Sequence, residues 1–273
     1  MTLSRAAIHE LLERHGLSPS RALGQNYVAD PNTVRRIAHL AGVGPSDHVV
    51  EIGAGLGSLT MALAETGASI TAVEIDRYVM PVLRAQVEPL GVRVVEGDAT
   101  AIDWGDVLAG ADRWVLVANL PYNVATPLVL DLLDDVPAIA RMLVMVQLEA
   151  GQRLAAHVGD PQYGIPSVKV EYWARARLVG KVPASVFVPR PRVESALVAI
   201  ERLEQPAVEA DPERLFSLVR AGFGQRRKML RRSLAGLVDA ETFERAGVRP
   251  EARAEELSVH DWGRLASAEA PSP

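Results

Sequence analysis

Apolar residues fall in two different rhythms along the first two-thirds of the chain. Short β-rich runs of five to seven residues sit at 48–52, 69–74, 92–96, 114–118 and 142–148. Stretches compatible with a helix separate them, as at 59–65 and 79–87. This alternation predicts a parallel sheet covered by helices on both faces. Ahead of it, 8–14 and 31–40 read as helices, the second with Asp30 as N-cap and Pro31 at the first helical position. Two longer β-rich runs follow, 167–179 and 196–201. No crossover-length helix separates them, which predicts an antiparallel hairpin at one edge of the sheet. After Leu203-Glu204-Gln205-Pro206 the pattern is helical only. Asp211-Pro212 is a second N-cap and N1 proline, Leu215, Leu218 and Val219 share one face, and 229–238 and 259–265 continue the helical pattern. The expected fold class is therefore α/β, with a sheet domain over 1–203 and a small all-α domain over 204–273. No internal repeat is visible, and Ala270-Pro271-Ser272-Pro273 has the composition of a disordered end.

Composition narrows the chemistry. The chain has 273 residues and no Cys, which excludes disulfides, Cys-ligated zinc, iron–sulfur clusters and any cysteine nucleophile. The six His are scattered without metal-ligand spacing, so no metal site is expected. No apolar run is long enough to span a membrane, and no signal-peptide core follows the first residues, so a cytoplasmic protein is expected. The net charge of −5 argues, taken alone, against a nucleic-acid partner. Its distribution argues the other way. Residues 47–135 carry 14 acidic and 4 basic side chains, leaving 20 acidic and 25 basic elsewhere. Residues 173–193 hold Arg175, Arg177, Lys181, Arg190 and Arg192 with no acid among them. Residues 220–232 hold Arg220, Arg226, Arg227, Lys228, Arg231 and Arg232, again with no acid. Such stretches are either solvated faces or a surface for a polyanion, and two of them in a net-acidic chain favour the polyanion.

The strand ends carry the candidate cofactor site. The first strand runs into Glu51-Ile52-Gly53-Ala54-Gly55-Leu56-Gly57 and a helix follows. Glycines here permit a tight turn and close approach of a ligand to the backbone. A nicotinamide fingerprint needs a sixth-position glycine, and Ser58 stands there. The second strand ends in Glu74, twenty-one residues after Gly53, where a carboxylate can bind ribose hydroxyls. The third ends in Gly97-Asp98-Ala99, where Asp98 can accept from an adenine amino group. A lone glycine turn is a plain strand–helix connection, but acids at three successive strand ends resemble the class I S-adenosylmethionine-dependent methyltransferases, which have a Rossmann-like domain.

The fourth strand names the acceptor. It runs into Asn119-Leu120-Pro121-Tyr122. The Asn119 side-chain oxygen and the Leu120 carbonyl can accept from an exocyclic amino group, Pro121 fixes the turn, and Tyr122 offers a flat face to a flipped-out base. An adenine or cytosine amino group is the acceptor class. In isolation the tetrapeptide would be a proline turn with a packed tyrosine; its place after a fourth strand of this fold favours the functional reading.

Three segments together carry a closer resemblance: Leu23-Gly24-Gln25-Asn26-Tyr27-Val28-Ala29-Asp30, Asn119-Leu120-Pro121-Tyr122, and Phe187-Val188-Pro189-Arg190-Pro191-Arg192-Val193-Glu194-Ser195-Ala196. The chain resembles the ribosomal RNA adenine N6-dimethyltransferases, and within them the enzymes of the small subunit. Phe223-Gly224-Gln225-Arg226-Arg227-Lys228 agrees with this in the helical tail. The resemblance implies S-adenosylmethionine as methyl donor and two adjacent adenosines near the 3′ end of 16S rRNA as acceptors. It also implies an immature small ribosomal subunit as partner, and a role in its assembly. It places Asn26, Val28, Gly53, Glu74, Asp98 and Asn119 on the cofactor, Asn119 to Tyr122 around the acceptor adenine, and Phe187 over the adenine's other face. Tyr27 and Val28 stand where the family usually has Phe and often Leu, and both keep an apolar body. Leu148 stands where Lys is common, and Ile165-Pro166 is an unusual continuation of Tyr163-Gly164. A monomer is the default expectation.

Rival readings each meet a residue that disagrees. Large-subunit rRNA adenine methyltransferases typically begin the first motif with Ser-Gln-Asn, whereas Gly24 stands here. DNA adenine methyltransferases usually have a second proline where Leu120 stands. A non-catalytic RNA-binding assembly factor would not need the acids and Asn119 intact.

Overall fold

The computed structural model describes residues 2–268, so the expected disordered end at 270–273 lies outside the described residues. The chain forms two compact units. One takes residues up to Gly151 together with Arg177–Glu201, the other Gln152–Ala176 together with residues from Arg202 onward.

The strands are β1 (Tyr27–Val28), β2 (His48–Ile52), β3 (Ser69–Glu74), β4 (Arg93–Glu96), β5 (Trp114–Asn119), β6 (Ile139–Gln147), β7 (Ala174–Val182), β8 (Phe187–Val188) and β9 (Ser195–Arg202). The helices are α1 (Arg5–Arg14), α2 (Pro31–Ala41), α3 (Ser58–Ala64), α4 (Met80–Val87), α5 (Trp104–Val107), α6 (Ala125–Asp135), α7 (Leu148–Leu154), α8 (Ile165–Trp173), α9 (Pro212–Gly224), α10 (Leu230–Ser233), α11 (Ala240–Ala246) and α12 (Val259–Ser267).

In the first unit, the main sheet runs in the order β4-β3-β2-β5-β6-β9-β7. β4, β3, β2, β5 and β6 are parallel, and β9 is antiparallel to β6. The chain steps outward from β2 through β3 to β4, then returns to the other side of β2 for β5. That reversal makes a crevice at the carboxyl ends of β2 and β5, the usual ligand position in open α/β sheets. The register sets what lines it. Ile52 pairs with Val73 on one side and with Ala118 on the other. Gly53, Glu74 and Asn119, each one residue further on, therefore emerge along one edge. Glu74 pairs with Glu96, which brings Gly97 and Asp98 to the same edge. Val49, Val50, Leu116 and Val117 are wholly buried, as strands covered on both faces require.

Most predicted elements stand within a few residues of their expected bounds. The pair of edge strands is real, but the segment ahead of β7 differs. Residues 167–173 alternate as Val168, Val170 and Tyr172, a strand pattern, yet they form α8. Pro166 sits in its first turn, and the Gly164 N–H donates to Ser167 Oγ. Val168 and Tyr172, four apart, pack in one cluster with Leu215, Phe216 and Leu218 of α9. Burial on a helical face outweighs the β-branched propensity here. The same packing moves 152–176 into the helical unit, where a boundary at 203/204 was expected. The unusual Ile165-Pro166 pair thus opens a helix.

The second unit is built round Trp262, Tyr163 and Tyr172. Tyr172 meets Phe216 edge-on with ring centroids 5.3 Å apart. A Cβ at Gly222 of α9 would lie 2.6 Å from the Trp262 ring, so glycine is what lets α12 lie close.

Candidate active site

Two adjoining clefts open at the carboxyl edge of the sheet, and Leu23, Gly53, Ile75 and Pro121 line both. The first lies between Asn26, Val28, Glu51, Gly53, Glu74 and the Asn119–Tyr122 segment. The second lies between Gly53, Ile75, Asp98, Val124 and Leu128.

Glu74 is buried and both its oxygens are held. Oε2 accepts from the Gly55 N–H at 2.7 Å, and Oε1 from the N–H groups of Ile75 and Asp76 at 3.0 and 2.9 Å. A carboxylate offers about four acceptor directions, so one remains for a ribose hydroxyl. Burial raises its pKa above the ordinary carboxylate value, and the three N–H groups work against that rise. The glycine turn is bare for a steric reason as well. A Cβ at Gly55 would lie 2.9 Å from the buried Tyr27 ring, and one at Gly57 would lie 2.8 Å from Val87. Tyr27 is therefore the wall behind the turn, and burial and the nearby Glu74 and Asp76 raise its pKa further above the ordinary value. Asp98 is exposed, and its Oδ1 accepts from the Thr100 N–H and hydroxyl, which lowers its pKa and keeps it ionised. Its second oxygen is left for a donor in the second cleft.

The Asn119–Tyr122 segment is held with equal definition. Asn119 Nδ2 donates to the Asn26 carbonyl at 3.0 Å. The amide is thereby oriented, and its oxygen is the end left over. The Leu120 N–H donates to the Met145 carbonyl, while its own carbonyl accepts no hydrogen bond among the described residues. Pro121 packs on Gly24, whose Cβ would lie 2.9 Å from the Pro121 Cβ; at φ +64° this position suits glycine on backbone grounds too. Tyr122 is half-buried, and its hydroxyl shares a hydrogen bond with Ser195 Oγ at 2.9 Å.

Thus Asn26, Val28, Gly53, Glu74, Asn119, Leu120, Pro121 and Tyr122 line one cleft, and Asp98 joins them through the second. Phe187 does not. It pairs with Val28 in the β1–β8 ladder, is wholly buried, and lines neither cleft. The resemblance expects Phe187 over a base's second face; in the structure its ring lies behind the strand that carries Val28, outside both clefts.

Three further residues help build the site. Glu51 is buried, lines the first cleft, and has an Oε2 with no hydrogen-bond partner. Burial pushes its pKa up to about 8. The signal was present as an acid inside the apolar run of β2. Gln25 bridges, accepting from the Ser20 N–H at 2.8 Å and donating to Asp76 at 2.7 Å, which ties the first motif to the turn after Glu74. Ser195 lies in the third motif, but its partner Tyr122 is 73 residues away and is visible only in the fold.

The cleft fits S-adenosylmethionine. A bare glycine floor, a carboxylate with one acceptor direction free, a buried acid with one unpartnered oxygen for a cationic group and a second carboxylate in an apolar side cleft match its ribose, amino acid and adenine parts. Among the described residues no cluster of His, Asp and Glu could hold a metal ion.

The comparisons agree with this geometry. Residues 17–270 match the family model described as ribosomal RNA adenine dimethylase. The ribosomal RNA small subunit methyltransferase A of Bifidobacterium adolescentis is 44% identical over 97% of this chain and 93% of its own length. The crystal structure of the 23S rRNA methyltransferase ErmE is similar with a TM-score of 0.70 at 26% identity, covering 89% of this chain and 98% of that one. A dimethyladenosine transferase from Plasmodium falciparum has the same fold, with a TM-score of 0.74 at 24% identity over 86% of this chain and 94% of that one. A class I methyltransferase sheet with Asn-Leu-Pro-Tyr at the end of β5, matched almost end to end by these relatives, places the chain in the ribosomal RNA adenine dimethylase family.

Proposed function

We propose that this chain dimethylates the N6 amino groups of two adjacent adenosines near the 3′ end of small-subunit 16S rRNA. S-adenosylmethionine is the methyl donor. The enzyme works as a monomer in the cytoplasm on an immature small subunit, and so contributes to subunit assembly. One observation carries the reading: the oriented Asn119 amide and the free Leu120 carbonyl lie in the same cleft as Gly53 and Glu74. The small-subunit assignment is supported by the 44% identity over nearly the whole chain, against 26% for the large-subunit enzyme.

Bound S-adenosylmethionine supplies a methyl group on a positively charged sulfur. The chain's own residues prepare the nucleophile. The N6 lone pair of adenine is delocalised into the ring and points poorly at an electrophile. Hydrogen bonds from N6–H to Asn119 Oδ1 and to the Leu120 carbonyl favour a more tetrahedral nitrogen. Tyr122 carries the ring, and base–aromatic stacking contributes roughly 1–3 kcal/mol. Alignment of the reacting atoms can supply roughly 7–11 kcal/mol of the barrier reduction. After transfer N6 bears an extra, acidic proton that leaves to water, so no strong base is required.

The test is acceptor preference. Labelled S-adenosylmethionine is offered with naked rRNA, immature small subunits or DNA, and the methylated base is mapped. Label on small-subunit adenine N6 supports the reading, and label confined to large-subunit rRNA or DNA overturns it.

A further inference from the structure

The Tyr122 hydroxyl and Ser195 Oγ are 2.9 Å apart. Ser195 is wholly buried and opens β9, opposite Gln147 at the end of β6. The β6–β9 pairing is continuous from Gln147 back to Arg141, so Ser195 sits on a rigid part of the sheet rather than on a loop. Tyr122 does not. It stands in the turn between β5 and α6, held through the Pro121 carbonyl, which accepts from the Val124 and Ala125 N–H groups. These bonds fix the backbone of the turn and leave the ring free to rotate about its side-chain torsions. A half-buried tyrosine at a cleft mouth needs a second anchor if its ring plane is to be constant, and the hydroxyl is the far end of the lever.

We propose that Ser195 is a positioning residue for methyl transfer: its hydroxyl pins the Tyr122 ring so that a stacked adenine presents N6 to Asn119 and Leu120 at one fixed angle. The inference rests on the reading of Tyr122 as the acceptor platform. Ser195 touches neither donor nor acceptor and acts only through Tyr122. Its loss leaves the stacking face intact, so binding of rRNA persists while the fraction of bound adenines in reactive alignment falls.

The experiment is a double-mutant cycle of Ser195→Ala and Tyr122→Phe, each removing the bond from one side, read by single-turnover rates at saturating small subunits and by KM for the subunit. Each single variant is expected to slow transfer roughly 3- to 10-fold, the size of one net hydrogen bond. KM should stay within about 2-fold, and the double variant should be no slower than the singles. Tyr122→Phe also guards against a folding defect peculiar to the buried serine. Additive losses, a KM effect without a rate effect, or a wild-type rate in Ser195→Ala would overturn the proposal. Tyr122→Ala is the control for the underlying reading. If it transfers methyl groups normally, the acceptor platform itself is misassigned; if it is severely slowed while Ser195→Ala is not, only the role of Ser195 falls.

Discussion

Asn119 donates its side-chain N–H to the main-chain carbonyl of Asn26, 93 residues earlier, over 3.0 Å. The bond joins the end of β5 to the segment entering β1 and decides which end of the amide is available to an acceptor base. Asn119→Ala should therefore slow methyl transfer by roughly 100-fold, the scale for removing one oriented polar group at a reacting centre. Affinity for rRNA should change by less than about 3-fold. Asn119→Asp should be as slow, because a carboxylate cannot donate to Asn26 and would face its carbonyl oxygen. Single-turnover assays at saturating RNA check both, and a rate within about 3-fold of wild type would mean that the acceptor pocket lies elsewhere.

Glu74 makes a different prediction from an acid that only meets ligand. Both its oxygens accept from backbone N–H groups. In Glu74→Gln one end must turn an NH2 toward an N–H donor. That variant should bind S-adenosylmethionine at least about 10-fold more weakly, nearly as poorly as Glu74→Ala, since hydrogen bonds to charged groups are worth about 1.5–3 kcal/mol. Calorimetry showing wild-type affinity in a folded Glu74→Ala protein would remove the residue from the site.

Glu51 gives a pH dependence. Its folded pKa is raised from 4.5 to about 8, so between those values the folded protein holds a proton that the unfolded chain has released. Stability from this group is full below about pH 4.5 and is lost as pH rises to about 8. A bound cation favours the carboxylate, so cofactor affinity should rise with pH up to about 8, with a proton released on binding. Calorimetry at pH 7 in buffers of different ionisation enthalpy measures that proton. Glu51→Gln should abolish the release, and equal release in the variant would exclude Glu51 as its source.

Two of the six cations in 220–232 already have partners. Arg226 is engaged by Glu255 and by the Pro161 carbonyl, and Arg231 lies 3.6 Å from Glu251. Arg227, Lys228 and Arg232 are exposed, with no side-chain partner among the described residues. Changing these three to Gln should flatten the salt dependence of subunit binding by about 2–3 log units per log unit of salt and leave cofactor binding unchanged. Arg226→Gln should instead act on stability. Subunit affinities measured at several salt concentrations settle the assignment: an unaltered slope in the triple variant would exclude these cations from the RNA surface.

Phe187 separates packing from stacking. A wholly buried ring predicts that Phe187→Ala lowers stability by about 3–5 kcal/mol. Denaturant unfolding measures that loss, and rRNA affinity of the folded variant measures any stacking on a base.

The sheet and the carboxylates at its edge are legible because the features that set them are local. Short apolar runs mark β2, β3 and β5, and the residues just past each run must lie at the sheet's edge. Asn119 to Tyr122 followed from the same rule. What escaped was set by packing. The alternation through Val168, Val170 and Tyr172 is a strand signal that α9 overrides. The Ser195–Tyr122 bond joins residues that no spacing rule connects. Glu51 is visible as an acid within an apolar run, but the unpartnered state of its Oε2 is a property of the folded cleft.

The most direct test of the central claim is nucleoside mass spectrometry. Small subunits lacking the modification are incubated with S-adenosylmethionine and either wild-type protein or Asn119→Ala, then digested and mapped. The expected result is N6,N6-dimethyladenosine at two adjacent positions near the 16S 3′ end with wild type, and a severe loss of both with the variant. Methylation at another base or another atom, or equal product from Asn119→Ala, would contradict it.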